Sequence, residues 1–233
     1  VLRGGQAYTE QEFRQLGVEP SRLAKEFASQ QLQQNLHKLP HLDRPEIGNL
    51  TPTDIWGINQ YTKIGGMGST GAIQIRSWQE VMASRDITDK EGDSLATQMP
   101  AIRAALSGLK KLPAYQGTVY NGQKLDVGNM DDAAISNYLE TRYSVGSLHR
   151  QPTFLSAAKT IGSSFIPKPE YNLAWVITRV KTGRDIQVLS TNAGEEEVLF
   201  APGARFVVTG SANKVRDQHS PLRGKVVVYL EEV

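Results

Sequence analysis

In the first half of the chain, apolar positions recur at helical spacing. Between Glu10 and Leu39, the residues Phe13, Leu16, Leu23, Phe27, Leu32 and Leu36 fall near a 3.6-residue period, with a break around Pro20. Thr51-Pro52-Thr53-Asp54 is a helix-start signal, and Ile55, Ile58 and Tyr61 follow on one face. Trp78 to Met82 reads as a short helix, and Met99 to Leu112 as another with Ile102, Leu106 and Leu109 inward. From about residue 115 the period changes. Short β-branched or aromatic runs bounded by turns occupy Gly117–Tyr120, Thr153–Ser156, Leu173–Ile177, Ile186–Leu189, Glu197–Phe200, Arg205–Val208 and Lys225–Tyr229. One helix, Asp131 to Tyr143, interrupts them, its start marked by two acids that suit the positive end of a helix dipole. A helical part followed by many short strands predicts an α+β fold rather than alternating βαβ units. We divide it into a helical lobe over 1–110 and a β-rich core over 111–233, packed as one compact domain.

Composition narrows the chemistry more than the fold. The 233 residues are 39% hydrophobic and 21% charged, an ordinary globular balance. A net charge of +2 gives no reason to expect nucleic acid or membrane partners. No apolar run approaches the roughly 20 residues of a membrane span. No cleavable signal is visible at Val1, and the absence of an initial Met suggests a fragment or a processed product. The chain has no cysteine, which excludes disulfides, cysteine metal centres and thiol nucleophiles. Its histidines are His37, His41, His149 and His219; Pro40 keeps the first two off a shared helix face, so no metal site is expected. The amphipathic Glu10–Leu39 segment has a Gln-rich polar face, which favours docking on its own core over a membrane.

Three stretches could carry chemistry. Gly66, Gly68 and Gly71 match the dinucleotide-fold spacing, but Tyr61 to Ile64 reads as a helix end rather than a strand, so a loop is the better reading. Glu195-Glu196-Glu197 precedes the apolar Val198-Leu199-Phe200. Three acids in a row usually form a solvated loop. If they lie in a strand, however, Glu195 and Glu197 face one way and Glu196 the other, so two carboxylates can share a cleft and divide binding from proton transfer. Ser156 ends a strand with no histidine nearby in sequence, which suits a hydrogen-bonding role rather than a nucleophilic one.

Taken in order, these pieces resemble the bacterial mono-ADP-ribosyltransferase toxins. Gly194–Val208 is similar to their Glu-x-Glu-(Val/Ile)-Leu-Phe-x-Pro-Gly-x-x-Phe block almost residue for residue. Thr153-Phe154-Leu155-Ser156-Ala157-Ala158 resembles their Phe-x-Ser-Thr-Ser strand, and Ile102–Gly122 the segment ending in Tyr-Arg-Gly. Asp54 to Thr62 is similar to the helix before their core, so the resemblance covers roughly 50–230. It implies two packed antiparallel sheets forming an NAD cleft, with a helical N-terminal lobe. The implied reaction passes ADP-ribose from NAD to a host-protein side chain, through a transition state with positive charge on the ribose, as in glycoside hydrolysis.

By that resemblance Glu197 is the catalytic glutamate, meeting the nicotinamide-ribose 2′-OH, and Glu195 orients or deprotonates the acceptor. Ser156 positions Glu197, and Asn121, Gly122, Ser156 and Glu197 line the NAD site. Thr191 to Gly194 meets the protein substrate. A monomer with no metal is expected, secreted or injected by a bacterium and acting in the host cytoplasm on actin or a Rho-family GTPase; the C-terminal cargo of a larger toxin is one such setting. The tryptophans Trp56, Trp78 and Trp175 read as packing residues.

Two departures stand out: Ser156 is followed by Ala157 and Ala158, and Asn121 replaces the NAD-gripping arginine. Losing that charged contact costs roughly 1.5–3 kcal/mol, or about 10- to 150-fold in NAD affinity. Arg103, Arg142 or Arg150 could take over the phosphates; the chain could instead be an inactive interaction module, or Asn121 an introduced inactivating change. A plain NAD glycohydrolase is the remaining alternative.

Overall fold

The computed structural model describes residues 2–3, 6–7, 49–62, 101–125, 131–151 and 153–233. The segments Glu10–Leu39 and Trp78–Met82, expected as helices, and the Gly65–Gly71 stretch lie outside them. Leu2–Arg3 (β1) pairs antiparallel with Gln6–Ala7 (β2).

Helix α1 (Pro52–Thr62) starts where the sequence signal places it. The Asp54 carboxylate accepts from the Thr51 N–H and hydroxyl, both at 2.8 Å, and the Thr51 hydroxyl accepts from the Asp54 N–H at 3.2 Å. This reciprocal cap satisfies donors that the first turn would leave open. Burial pushes the Asp54 carboxyl up, but hydrogen bonds from Lys111 and Thr51 outweigh it and hold the pKa below its ordinary value. Lys111 sits at the end of a second helix, α2 (residues 101–111), so this ion pair joins the two helices. A Cβ on Gly57 would lie 2.4 Å from the Ala105 backbone nitrogen, so α1 and α2 touch backbone to backbone there and only glycine fits.

The remaining strands form one mixed sheet in the order β4-β9-β10-β6-β3-β5-β8-β7. They are β3 (Val119–Gln123), β4 (Leu148–Arg150), β5 (Leu155–Ala158), β6 (Leu173–Arg179), β7 (Arg184–Asp185), β8 (Glu197–Phe200), β9 (Arg205–Ala212) and β10 (Val226–Glu232). Helix α3 (Asp132–Arg142) follows β3; the Asp131 side chain accepts from the Ala134 N–H at 2.8 Å, and Ile135 and Leu139 turn inward. The α+β class and the two packed layers are those expected. Two details differ from paired antiparallel sheets. β6 and β10 run parallel, because the chain crosses the other half of the molecule between them. The halves β4-β9-β10-β6-β3 and β5-β8-β7 are also hydrogen-bonded to each other, through the single register pair Tyr120↔Ala158. The run Ile186–Leu189, expected as a strand, is a 3₁₀ turn over Gln187–Leu189 that buries Leu189. The short strands β4 and β7, which sequence patterning did not distinguish, form the two sheet edges.

Apolar packing joins the two halves. Leu155, Ala157, Val198 and Phe200 from one half meet Val119, Trp175, Ile177, Phe206 and Val228 from the other in a shared apolar layer. Phe200 and Phe206 touch edge to face across it, at 5.5 Å between centroids. The opposite face of β5 and β8 carries Leu199 and packs with Phe154 against Ile55, Ile58, Ile102 and Leu109 of the helices. Asn121 closes the seam: its Nδ2 donates to the Ser156 carbonyl at 2.6 Å, and its Oδ1 accepts from Gln123.

Removing this amide should weaken the join between the halves. Asn121→Ala is expected to cost about 1 kcal/mol, the usual net worth of one such hydrogen bond. Urea unfolding should report it as a lower midpoint with an unchanged slope; an unmoved midpoint would mean that the amide does not hold the seam.

Candidate active site

The site is built on the β5–β8 ladder. Ala158 pairs with Glu197 and Ser156 with Leu199, so the period of two puts Ser156, Ala158, Glu197 and Leu199 on one face. Ser156 and Glu197 are thus diagonal neighbours, which sets the serine hydroxyl beside the Glu197 carboxyl. Glu197 is only 3% exposed. Burial pushes its pKa up; the Ser156 bond pulls the other way and the Glu195 charge adds to the rise, leaving it at about 7.

Glu195 reaches the same site by a different route from the one its spacing suggests. It lies in a 3₁₀ turn, Ala193–Glu195, and not in the strand. Glu196 then adopts a left-handed conformation (φ 45°, ψ 47°), and β8 begins only at Glu197. The turn is held from several sides. Asn192 Nδ2 donates to Glu195 Oε1 at 2.8 Å, and Gln187 Nε2 to the Ala193 carbonyl at 3.0 Å. Helix α1 supports the loop from below: Asn59 Nδ2 donates to the Leu189 carbonyl at 3.0 Å, and Thr191 exchanges hydrogen bonds with Thr62.

A cleft opens between the seam and the segment after β5. Asn121, Gly122, Ser156, Phe165 and Glu195 are on its wall, and Glu197 adjoins it through Ser156. A Cβ on Gly122 would meet the Ile166 nitrogen at 3.0 Å, so glycine here lets the 165–166 backbone close over β3. Phe165, 42% exposed, stacks on Tyr171 at 5.1 Å between centroids, with Lys168 over its ring and Lys124 over that of Tyr171. Two acids and a serine thus meet at one cleft. The phosphate grip is less direct: the Asn121 amide is engaged in the seam, and Arg103, Arg142 and Arg150 are not on the cleft wall. Arg150 is on the far edge strand β4, and Arg142 ends α3.

Tyr61 and Glu196 belong to the site although spacing assigned them elsewhere. Tyr61, read as one more apolar position of α1, is fully enclosed beside Phe154; burial and the charges of Glu197 and Glu195 raise its phenol pKa strongly. Glu196, expected to face outward, accepts from Thr160 and Ser163. The hydroxyl cluster Thr160, Ser163, Ser164 immediately after β5 was the available signal. Among the described residues, no group of three or more His, Asp or Glu could hold a metal ion, and no helix is long and apolar enough to cross a membrane.

No family model matches the chain. Two curated bacterial relatives carry the description "Putative NAD(+)--arginine ADP-ribosyltransferase". Vis of Vibrio splendidus is 34% identical over 116 residues, 46% of this chain and 43% of its own. Mav of Mycobacterium avium is 26% identical over 147 residues, 61% of this chain and 15% of its own. The chain therefore spans less than half the length of either relative. Among solved structures, the ADP-ribosyltransferase HopU1 of Pseudomonas syringae superposes with a TM-score of 0.58 at 20% identity, covering 98% of this chain and 99% of that one. Vis in complex with agmatine gives 0.55 at 20% identity, covering 98% and 87%. The chain has the ADP-ribosyltransferase fold, and the proteins it is similar to are bacterial ADP-ribosyltransferase toxins and effectors.

Proposed function

We propose that this protein is a mono-ADP-ribosyltransferase that moves ADP-ribose from NAD onto an arginine side chain of a host protein. The observation that carries this reading is the buried Glu197 carboxyl, diagonal to Ser156 on the shared face of β5 and β8, with Glu195 nearby on the cleft wall. NAD contributes a glycosidic bond that leaves positive charge on the ribose as it breaks. A carboxylate in a dry site stabilises such charge far better than one in water. Glu197 supplies it and accepts from the ribose 2′-OH, and Ser156 keeps its orientation. Glu195 pairs with the acceptor guanidinium and takes its proton as the new N–C bond forms. Nicotinamide leaves with the bonding electrons.

The arginine acceptor follows from the names of Vis and Mav and from the Glu-x-Glu spacing. We take the host target to be a cytoplasmic protein such as actin or a Rho-family GTPase, met by the 191–194 loop after secretion or injection by a bacterium. A second reading, an inactive interaction module, is favoured by one observation alone: the Asn121 amide is spent on the seam and brings no positive charge to the phosphates. Lys124 and Lys168 beside Phe165 and Tyr171 place positive charge near the cleft, which favours the enzyme.

Incubation with biotin-labelled NAD and a eukaryotic lysate should label one discrete protein. Glu197→Gln should cut labelling by about 10²–10³-fold, the scale of losing one preorganised charge contact in an active site; undiminished labelling would remove Glu197 from the chemistry. Glu195→Ala should lose transfer to protein while nicotinamide release from NAD continues, and equal loss of both would mean that Glu195 acts on the NAD side. Because the working form of Glu197 is ionised, kcat/KM should rise with pH through a midpoint near 7. Its folded-state pKa lies above the ordinary 4.5, so its contribution to stability is full below that value and is lost as pH rises through about 7. Melting temperature should therefore fall over that window in the wild type and fall less in Glu197→Gln; parallel curves would contradict the raised pKa.

A further inference from the structure

Glu196 is a non-glycine residue in the left-handed region, where glycine or asparagine is the usual solution and a glutamate backbone is strained. It persists because both ends of the residue are bonded. Its carbonyl accepts from the Lys159 N–H at 3.1 Å, extending the β5–β8 ladder one step beyond the Ala158↔Glu197 pair. One carboxylate oxygen accepts from the Thr160 hydroxyl at 2.8 Å and from the Ser163 hydroxyl. The two hydroxyl oxygens lie 2.7 Å apart, and the Ser163 N–H donates to Thr160 Oγ1 at 3.2 Å, which closes a small turn around the carboxylate. The hydrogen bonds from Ser163 and Thr160 hold the Glu196 pKa below its ordinary value.

The turn leads directly to the cleft. Ser163, Ser164 and Phe165 are on its wall, and the next residue, Ile166, is buried with its backbone against Gly122. Residues 159–166 are thus pinned at one end by Glu196 and at the other by β3. The left-handed step at Glu196 also sets the direction of Glu195 relative to Glu197, since the two are not related by strand period.

We propose that Glu196 is a positioning residue: a latch that fastens the 159–165 wall of the cleft to the acidic loop and so sets the opening into which NAD fits between Phe165 and Glu195. This rests on the transferase reading above. The middle glutamate then acts through the wall it holds and touches no reacting atom.

The test compares Glu196→Ala, Glu196→Gln and the Thr160→Ala/Ser163→Ala pair with wild type, by nicotinamide release and by hydrogen exchange of peptides spanning 159–165. Breaking the latch should raise KM for NAD by about tenfold, as expected for losing charge-assisted hydrogen bonds, and leave kcat within about twofold. The alanine pair should match Glu196→Ala, and combining all three should add nothing. Glu196→Gln, which keeps an acceptor oxygen, should stay within about threefold of wild type. Exchange over 159–165 should rise in the alanine variants and remain protected in Glu196→Gln. An unchanged KM, a loss confined to kcat, or glutamine as damaging as alanine would overturn the proposal. If the wild type releases no nicotinamide, the transferase reading fails by itself. Exchange then decides the latch: unchanged protection in both alanine variants refutes it. Should Glu196→Ala fold poorly, the hydroxyl pair tests the same contact from the other side.

Discussion

The pairing of β5 with β8 is the constraint on which the rest of the site depends. Setting Ala158 opposite Glu197 fixes Ser156 as the diagonal partner of the carboxylate and sends Leu199 into the helical lobe. A slip of one residue would turn Glu197 into the apolar layer between the two halves and bring Val198 to the cleft. The neighbouring positions resist that slip. Val198 and Phe200 are fully buried against the strands of the larger half, and charged residues have no partner there. The geometry of the site is therefore held by apolar packing on one face and displayed on the other. The Glu197 carboxyl bears the cost of this arrangement as a raised pKa, because the same burial that aims it also removes water from it.

Around this ladder the molecule is joined at a few short contacts. Asn121 ties β3 to β5 where only one residue pair bridges the halves, and so takes on a structural duty. Helix α1 is anchored by its own cap and by Lys111 at one end. At the other end, Asn59 and Thr62 support the loop that presents Glu195. Among the described residues, helices α1 and α2 bear on the cleft through this loop and do not line it themselves. Its Tyr61 adds a neutral, enclosed phenol beside the acids, which keeps that side of Glu197 poor in water.

Local chemistry made much of this legible in the sequence. Thr51-Pro52-Thr53-Asp54 specifies a cap whichever partner the helix later finds, and Asp131 does the same for α3. Glu197 to Phe200 and Leu173 to Ile177 read as strands because residues buried on both faces must be apolar and β-branched or aromatic. Glu195, Glu197 and Ser156 could be named from their order along the chain. The reason first given for the two acids, a shared strand face, does not apply: a left-handed residue between them breaks the period.

What the sequence determined by itself was the helix caps, the composition of the strands and the class of the fold, because these rest on neighbouring side chains or on the overall pattern of the chain. Only the tertiary structure decided that Ile186–Leu189 curls into a turn to bury Leu189, that β6 and β10 run parallel, and that Asn121 holds a seam. It also decided that Glu196 turns back to gather two hydroxyls 33 and 36 residues away. These outcomes depend on groups far apart in the chain competing for the same hydrogen bonds and the same apolar space, and no local pattern records which of them wins.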